Sequence, residues 1–423
     1  MQQLNFAVVG AGGHAAFHIG NIRKWGGQLG CRLAAVAIRP RDRQAGQVEQ
    51  FGAEGVEVFA DALEMFAATA GRVDGVFIPT SIYTHQPLAC AALERGHNVY
   101  LEKPPAGTVQ EVDAMVAAQG VSRRGTPIVR TDDWGPRICL LGFQNVFSHS
   151  IQLIKQRLMQ GRLGAVRRMR TWAMWPRQDH YYARNEWAGR LRAGERWVLD
   201  GPSNNATAHY IANMLYLASP RRDFAAPASV RAELYHARDI ESEDTSAMEI
   251  VTAEGVRLCF AVSHCVAGPH VGPWLEIECD GGLVQWDVTG RTRITLRDGS
   301  IEGIDANAED VNLSALRNFV EAVRAGEGTR VLCDVAMGRN FTLAINGAFE
   351  SAGRPRAIPA RYVRRQGAGP QAVTVVDGLA EAVQRCGAEG KLFSDLGLPW
   401  ARPTQPFDLA GYKGFPQTFP ENP

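Results

Sequence analysis

The first junction between a strand and a helix in this chain is a glycine turn of a kind that admits few folds. Phe6-Ala-Val-Val9 is an apolar run, Gly10-Ala-Gly12-Gly13-His14-Ala15 follows, and a helical segment continues to about Trp25. This is G-x-G-x-x-[G/A] with a strand before it and a helix after it, the context in which the spacing has a mechanism. Gly10 permits the tight turn and Gly12 the close approach of a pyrophosphate, while position 15 must be small where helix meets strand; Ala15 is small. Gly13 and His14 open the helix, where unpaired N–H groups and the helix dipole favour an anion. Further apolar strands are read at 33–38, 56–59, 75–79, 98–101 and 138–143, with helices at 62–70 and from about His85 to Glu94. In the second of those helices Leu88 with Ala92 and Ala89 with Leu93 form a stripe that packs on a sheet. Alternation of this kind predicts an α/β, doubly wound parallel sheet of the Rossmann type.

At the end of the second strand stands Arg39-Pro40-Arg41-Asp42-Arg43. An acidic residue there takes the ribose hydroxyls of NAD, whereas an arginine there meets a 2′-phosphate. Arg39 and Arg41 favour NADP over NAD; the alternative is that both are loop arginines and Asp42 takes the ribose. The fourth strand runs into Thr80-Ser81, with His85 in the helix beyond, and the fifth into Glu102-Lys103-Pro104. Ligands bind at the carboxyl ends of strands in such a sheet. A partly desolvated lysine there is suited to proton transfer. By itself the tripeptide reads equally as a surface ion pair beside a proline turn.

Gly10–Ala15, the segment from Pro79-Thr80 to His85, and Glu102-Lys103-Pro104 together resemble the glucose-fructose oxidoreductase / inositol dehydrogenase / rhizopine catabolism (Gfo/Idh/MocA) family over roughly residues 4–355. The resemblance implies that Lys103 lies beside the nicotinamide and the substrate hydroxyl. It also implies cofactor contacts for Thr80, His85 and Glu102, and Ser81 adjoins them.

Beyond residue 144 the pattern changes. Leu275, Ile277 and Cys279 alternate with Glu276, Glu278 and Asp280; 284–288, 291–297 and 230–234 behave alike. Period-2 alternation predicts an open, mainly antiparallel sheet with one buried face. Helices are read at 150–159, 311–324, with Leu313, Leu316, Val320 and Val323 on one face, and 334–351. The expected division is a dinucleotide-binding Rossmann domain at 1–143, an α+β substrate and oligomerisation domain at 144–359, and an extension at 360–423. In the extension a helix is read near 378–386, followed by a proline- and aromatic-rich arm laid on the body or on a neighbour.

The segment Asp200-Gly-Pro-Ser-Asn204-Asn205-Ala-Thr-Ala-His209-Tyr210 reads as the start of a helix running to Leu217. The family resemblance implies Asp-x-x-x-His here, with the histidine facing the substrate carbon. His209 matches it and is the candidate acid/base. Asn205 replaces the aspartate, and an amide orients by hydrogen bonding without supplying charge. Spacing of four places both on one helix face. Upstream, Trp172, Trp175, His180, Tyr181, Tyr182, Arg184, Asn185 and Trp187 crowd together. Aromatic faces and planar polar groups suit a sugar ring, so Trp175, Tyr182, Arg184 and Trp187, with Asn204, are read as substrate-binding; a hydrophobic lid or subunit contact is the alternative. Arg184 or Arg190 is the expected holder of a substrate carboxylate or phosphate.

Composition excludes other classes. Lys+Arg of 45 against Asp+Glu of 44 leaves no basic excess for nucleic acid. The arginines of 162–170 are expected on a solvated face. Eight cysteines without a CxxC or a Cys/His cluster suit reduced thiols in a cytoplasm and give no metal site. No apolar run reaches the roughly 18 residues of a membrane span, and the N-terminus enters a strand without a signal-peptide pattern. The chain therefore reads as a cytoplasmic NAD(P)-dependent oxidoreductase acting on a sugar, polyol or sugar derivative. The resemblance implies a homo-oligomer, a dimer or tetramer, formed through the open sheet. It also admits redox-neutral sugar chemistry, of glycosidase or epimerase type, with a retained cofactor; a third alternative is a non-catalytic dinucleotide-sensing regulator.

Overall fold

The computed structural model describes residues 3–120, 137–305, 310–326, 329 and 331–420; the basic stretch 122–135, read as a loop, lies outside the described residues. The chain forms two compact units, one of Met1–Ala106, Glu111–Phe147 and Glu309–Arg339, the other of Gly107–Gln110, Ser148–Ala308 and Asn340–Pro423.

In the first unit β1 (Leu4–Val9), β2 (Cys31–Ala37), β3 (Glu57–Phe59), β4 (Gly75–Ile78), β5 (Asn98–Leu101) and β6 (Cys139–Leu141) form one sheet in the order β3-β2-β1-β4-β5-β6. Every pairing is parallel, as the alternation requires. The crossovers are α1 (Gly13–Leu29), α2 (Gln47–Ala53), α3 (Ala62–Ala68), α4 (Ile82–Glu94) and α5 (Val109–Gln119), of which α2 and α5 are not read from the sequence. A later helix, α9 (Val311–Ala325, numbered in chain order after those below), returns to this unit. Leu316 and Val320 of the expected stripe are buried, but Leu313 and Val323 are only partly so, and the buried face centres on Phe319. The Phe319 ring meets Phe6 and Phe77 at 5.5 Å and Tyr100 at 5.7 Å. Aromatic packing of this area outweighs an aliphatic stripe.

The second unit opens with α6 (His149–Met159), β7 (Val166–Met174), α7 (Asp179–Tyr182), the hairpin β8 (Arg192–Ala193) and β9 (Arg196–Trp197), and α8 (Ala208–Ala218). Then come β10 (Pro227–His236), β11 (Thr245–Thr252), β12 (Arg257–Ser263), β13 (Val271–Cys279), β14 (Gly282–Asp287), β15 (Arg291–Leu296) and β16 (Ile301–Asp305). With β17 (Arg356–Ala357), which follows α10 (Val335–Ala352), they make one sheet in the order β16-β15-β14-β13-β7-β12-β11-β10-β17. It is mixed and mainly antiparallel; β7 runs parallel to β12. Trp172 lies inside β7 and so does not belong to the aromatic loop. Arg168 and Arg170 stand opposite Glu278 and Glu276 across β7 and β13 and pair with them; the solvated face expected of 162–170 does not hold for Arg170, whose side chain is only 14% exposed beneath the extension.

The extension folds onto its own unit. β18 (Val363–Gln366) pairs with β19 (Val373–Val376), and α11 (Leu379–Glu389) follows. Val383, Cys386, Phe393 and Trp400 are buried with Met174, Tyr235 and Ala261 of the sheet. Farther on, β20 (Phe407–Asp408) pairs with β10. The Glu350 carboxylate then accepts hydrogen bonds from the Tyr412 hydroxyl and from the backbone N–H groups of Gln417, Thr418 and Phe419, at 2.6–2.8 Å. Trp274 on β13 remains 44% exposed, beside a cavity of about 760 Å³ lined by β13–β16. Among the described residues no helix is long and apolar enough to cross a membrane.

Candidate active site

In the first unit a cleft of about 470 Å³ lies at the carboxyl ends of β1, β2 and β4. Gly10, Gly12, Ala15, Arg39, Thr80 and Ser81 line it, as do Asp42, Asp61, Tyr83 and Thr84, of which the sequence alone points only to Asp42. Gly10 has φ +93°, and a Cβ there would stand 3.2 Å from that of Ala15, so both positions need small residues. A Cβ on Gly12 would meet nothing within 4 Å, which leaves the cleft side open. No side chain caps α1, so its first N–H groups are available to an anion. These features fit the diphosphate of a dinucleotide. Arg39 Nε donates to Asp42 Oδ2 at 2.5 Å, both side chains well exposed. Gly13, His14, Arg41, His85, Glu102 and Lys103 are not among the residues lining this cleft.

Glu102, at the end of β5, is a buried hub. Its Oε1 lies 2.9 Å from His18 Nε2, 3.4 Å from His14 Nε2 and 2.9 Å from the donating Gln144 Nε2, while Oε2 accepts from the Lys103 N–H at 3.2 Å. Burial pushes this carboxyl upward, but the hydrogen bonds and charges of His14 and His18 outweigh it and hold the group well below the carboxylate range. Among the described residues, His14, His18 and Glu102 also form a set of donors close enough to hold a metal ion, all within 4.8 Å. In this structure they bond one another. His18 was readable as the residue four after His14 on one helix. His85 is likewise buried, between the carbonyls of Pro104 (2.8 Å) and Thr80 (3.0 Å). Burial pushes its ring below the usual imidazole range against the pull of both carbonyls, and a neutral ring donates to only one of them. Glu102 and His85 thus fix the two loops that present Thr80 and Lys103. The Lys103 side chain is half-buried.

In the second unit the Asn205–His209 segment departs from the expected single helix. Residues Pro202–Ala206 form a π-type turn, closed by Thr207 N–H donating to Pro202 O at 2.8 Å. Thr207 is non-helical (φ −116°), and α8 begins at Ala208. Helical register therefore does not place Asn205 and His209 on one face; Pro202 and the wide turn reset it. Asn205 Nδ2 instead donates to Asp200 Oδ1 at 2.7 Å. Asp200 is buried, and its Oδ2 accepts from Arg184 at 3.0 Å and from the Gly189 N–H at 2.8 Å. The charge missing at 205 is thus present at Asp200, a role that the spacing of the sequence does not indicate. Asn204 is buried, and its amide donates to the carbonyls of Val198 and Leu199, at 3.0 and 3.3 Å. It holds a turn in which Leu199 has φ +46°, a strained value for leucine. Behind the turn, Glu243 accepts from the Ser203 N–H at 3.2 Å and from Ser242 Oγ at 2.8 Å. Burial pushes Glu243 up to about 7. A Cβ on Gly201 would overlap that carboxylate, which explains the glycine.

The aromatic residues stand beside this turn. Trp175 meets Tyr210, the neighbour of His209, edge-on at 5.8 Å and stacks on His270 at 5.4 Å. The Tyr182 hydroxyl lies 2.9 Å from His264 Nδ1. Arg184 sits over Tyr181 and Trp187, at 4.0 and 5.4 Å. Arg184 is neutralised by Asp200, and Arg190 is paired with Glu241 at 2.5 Å.

Comparison with known proteins agrees with this architecture. A family model described as "Oxidoreductase family, NAD-binding Rossmann fold" matches residues 4–122, and the Gfo/Idh/MocA C-terminal domain matches 151–285. An inositol 2-dehydrogenase of Azotobacter vinelandii is 25% identical over 333 residues, covering 77% of this chain and 87% of that protein. An inositol 2-dehydrogenase of Saccharopolyspora erythraea is 30% identical over 168 residues, 38% of this chain and only 43% of that protein. Less than half the length of several such relatives is matched. Among solved structures, the WlbA dehydrogenase of Bordetella pertussis in complex with NADH and UDP-GlcNAcA has a TM-score of 0.64 at 22% identity, covering 82% of this chain and 97% of that one. A levoglucosan dehydrogenase in complex with NADH has a TM-score of 0.65 at 16% identity, covering 82% and 97%. At these identities the likeness is one of fold.

Proposed function

The chain belongs to the Gfo/Idh/MocA oxidoreductases, and from that membership we propose that it is an NAD(P)-dependent oxidoreductase acting on a hydroxyl-bearing carbon of a sugar, polyol or sugar derivative. The arrangement at the carboxyl ends of β1, β4 and β5 carries the proposal: an uncapped helix N-terminus, an open glycine, and Lys103 set beside a buried, fully bonded Glu102. A nicotinamide dinucleotide, when bound, supplies the hydride chemistry.

The residues of the chain do the rest. The Gly10–Ala15 turn holds the diphosphate, and Thr80 and Ser81 line the same cleft. Lys103 takes or returns the substrate hydroxyl proton at Nζ. His209 is the second acid/base candidate, with Asn205 as a positioning group tied to Asp200. Trp175, Tyr182, Arg184 and Trp187 frame the sugar. Asn204 supports the turn instead of meeting substrate directly, since its amide already serves two carbonyls.

NADP is the proposed preferred form. The exposed Arg39–Asp42 pair is worth under about 1 kcal/mol, so a 2′-phosphate displaces Asp42 at small cost. Arg41 stands next to it in sequence. A cytoplasmic location belongs to the same proposal and is supported by eight unpaired cysteines. So does a homo-oligomer, assembled on the face of β13–β16 that the extension leaves uncovered. The proposed functional division remains 1–143, 144–359 and 360–423.

Incubation with NADP+ or NAD+ and a panel of sugars and polyols tests the function. NAD(P)H absorbance should appear with at least one of them. Turnover with retained nucleotide and no net NAD(P)H would overturn the dehydrogenase proposal in favour of redox-neutral chemistry. A KM for NADPH below that for NADH is expected, rising on Arg39→Gln; a tenfold preference for NADH contradicts the NADP choice.

A further inference from the structure

The arginine expected to meet an anionic substrate group was Arg184 or Arg190, yet each already faces a carboxylate of its own. Arg177 does not. Among the described residues its guanidinium has no carboxylate within ion-pair distance, although it is partly buried and its Nε lacks a hydrogen-bond partner. It lies over the Tyr181 ring at 4.7 Å and 5.7 Å from that of Trp175. Asp179, two residues on, faces Arg365 at 2.6 Å and Arg238 at 3.8 Å. Stacking on aromatic faces pre-orders a guanidinium and leaves its edge free for bidentate pairing.

A second observation lies beside it. His264 is 1% exposed, and the Arg177 N–H donates to its carbonyl at 3.2 Å. Its Nδ1 meets the Tyr182 hydroxyl, but its buried Nε2 has no partner. Burial, reinforced by Arg177, Arg238, Arg184 and His270, keeps this ring well below the usual imidazole range, so it is neutral. A buried ring nitrogen left without a partner, beside a guanidinium that has no carboxylate and whose buried Nε is unbonded, is a costly arrangement unless a ligand completes it. Trp175 joins the pair to the substrate side, through its contact with Tyr210 next to His209.

We propose that Arg177 is the anion subsite of the substrate pocket, and that the sugar acted on carries a carboxylate or phosphate. This rests on the sugar-oxidoreductase proposal above for the pocket itself, but it is tested by binding alone. Calorimetric titration of the full-length, NADPH-loaded protein would compare each of several neutral sugars with its uronate and its 6-phosphate. At least one acidic member should bind tenfold or more tighter than its neutral partner, and whether uronate or phosphate wins identifies the anion. Arg177→Gln should abolish the preference, and Arg177→Lys, which keeps the charge without the planar fork, should retain part of it. The subsite is overturned if the tightest ligand is neutral, if no acidic sugar binds, or if Arg177→Gln keeps the preference. An acidic sugar that binds through Arg177 yet is never oxidised would remove the oxidoreductase proposal and leave the subsite standing.

Discussion

Asp200 shows how a charge moves without leaving the site. Asn205 occupies the place where relatives of this kind are expected to carry an aspartate, and its amide reaches directly to the Asp200 carboxylate at 2.7 Å. With Arg184 and the Gly189 N–H on the other oxygen, Asp200 has all its bonds met while almost fully buried. Asp200→Ala should therefore cost about 2–3 kcal/mol, the range for a hydrogen-bonded charge whose partners are left behind. Chemical denaturation reads this directly; a loss below about 0.5 kcal/mol, normal for an unimportant surface site, would contradict the hub. Asn205 was legible in the sequence because it broke a pattern. Asp200 was not, because its role depends on a π-type turn that no helical spacing encodes.

The same turn, as an element, carries a pH signature. Glu243 supports residues 201–203 from behind, and burial raises its carboxyl to about 7 from an ordinary value of 4.5. The folded state then holds a proton that the unfolded chain has already lost between those values. Stability from this group is thus complete below about 4.5 and falls as pH rises to about 7, by at most ~3 kcal/mol. Thermal unfolding of wild type should show a drop in Tm between pH 5 and 7.5 that Glu243→Gln removes; an unchanged slope in the variant contradicts the assignment. Elements differ in how plainly they could be read. The parallel strands stood out as short apolar runs between helices. Strands β13–β15 stood out by alternation, since one face meets helices and the other water. β11 and β12 did not, because the extension buries their second face and erases the period.

For the whole molecule, the extension is the part least legible in advance. Its proline-rich composition indicated an arm, and only the structure shows that the arm covers its own sheet. Phe393 is fully buried there against Tyr235 and Trp400, at 6.0 and 5.4 Å. Phe393→Ala should cost about 3–5 kcal/mol, and removal of 360–423 should yield an aggregating chain with Trp172 and Tyr235 uncovered. A truncated protein as stable as the intact one would show the extension to be dispensable. Sedimentation of the intact chain should give a species above the 46.1 kDa monomer; a monomer alone rules out assembly through β13–β16.

Lys103, held beside the Glu102 hub at the end of the nucleotide-binding sheet, is the residue on which the proposed chemistry depends. Its most direct test is a comparison of wild type with Lys103→Met, measuring turnover of the best sugar or polyol alongside NADPH affinity by fluorescence. Turnover should fall by about 10²–10⁴ with the dinucleotide Kd nearly unchanged. Near-normal turnover in the variant, or loss of dinucleotide binding in step with activity, would contradict a proton-carrying role for Lys103.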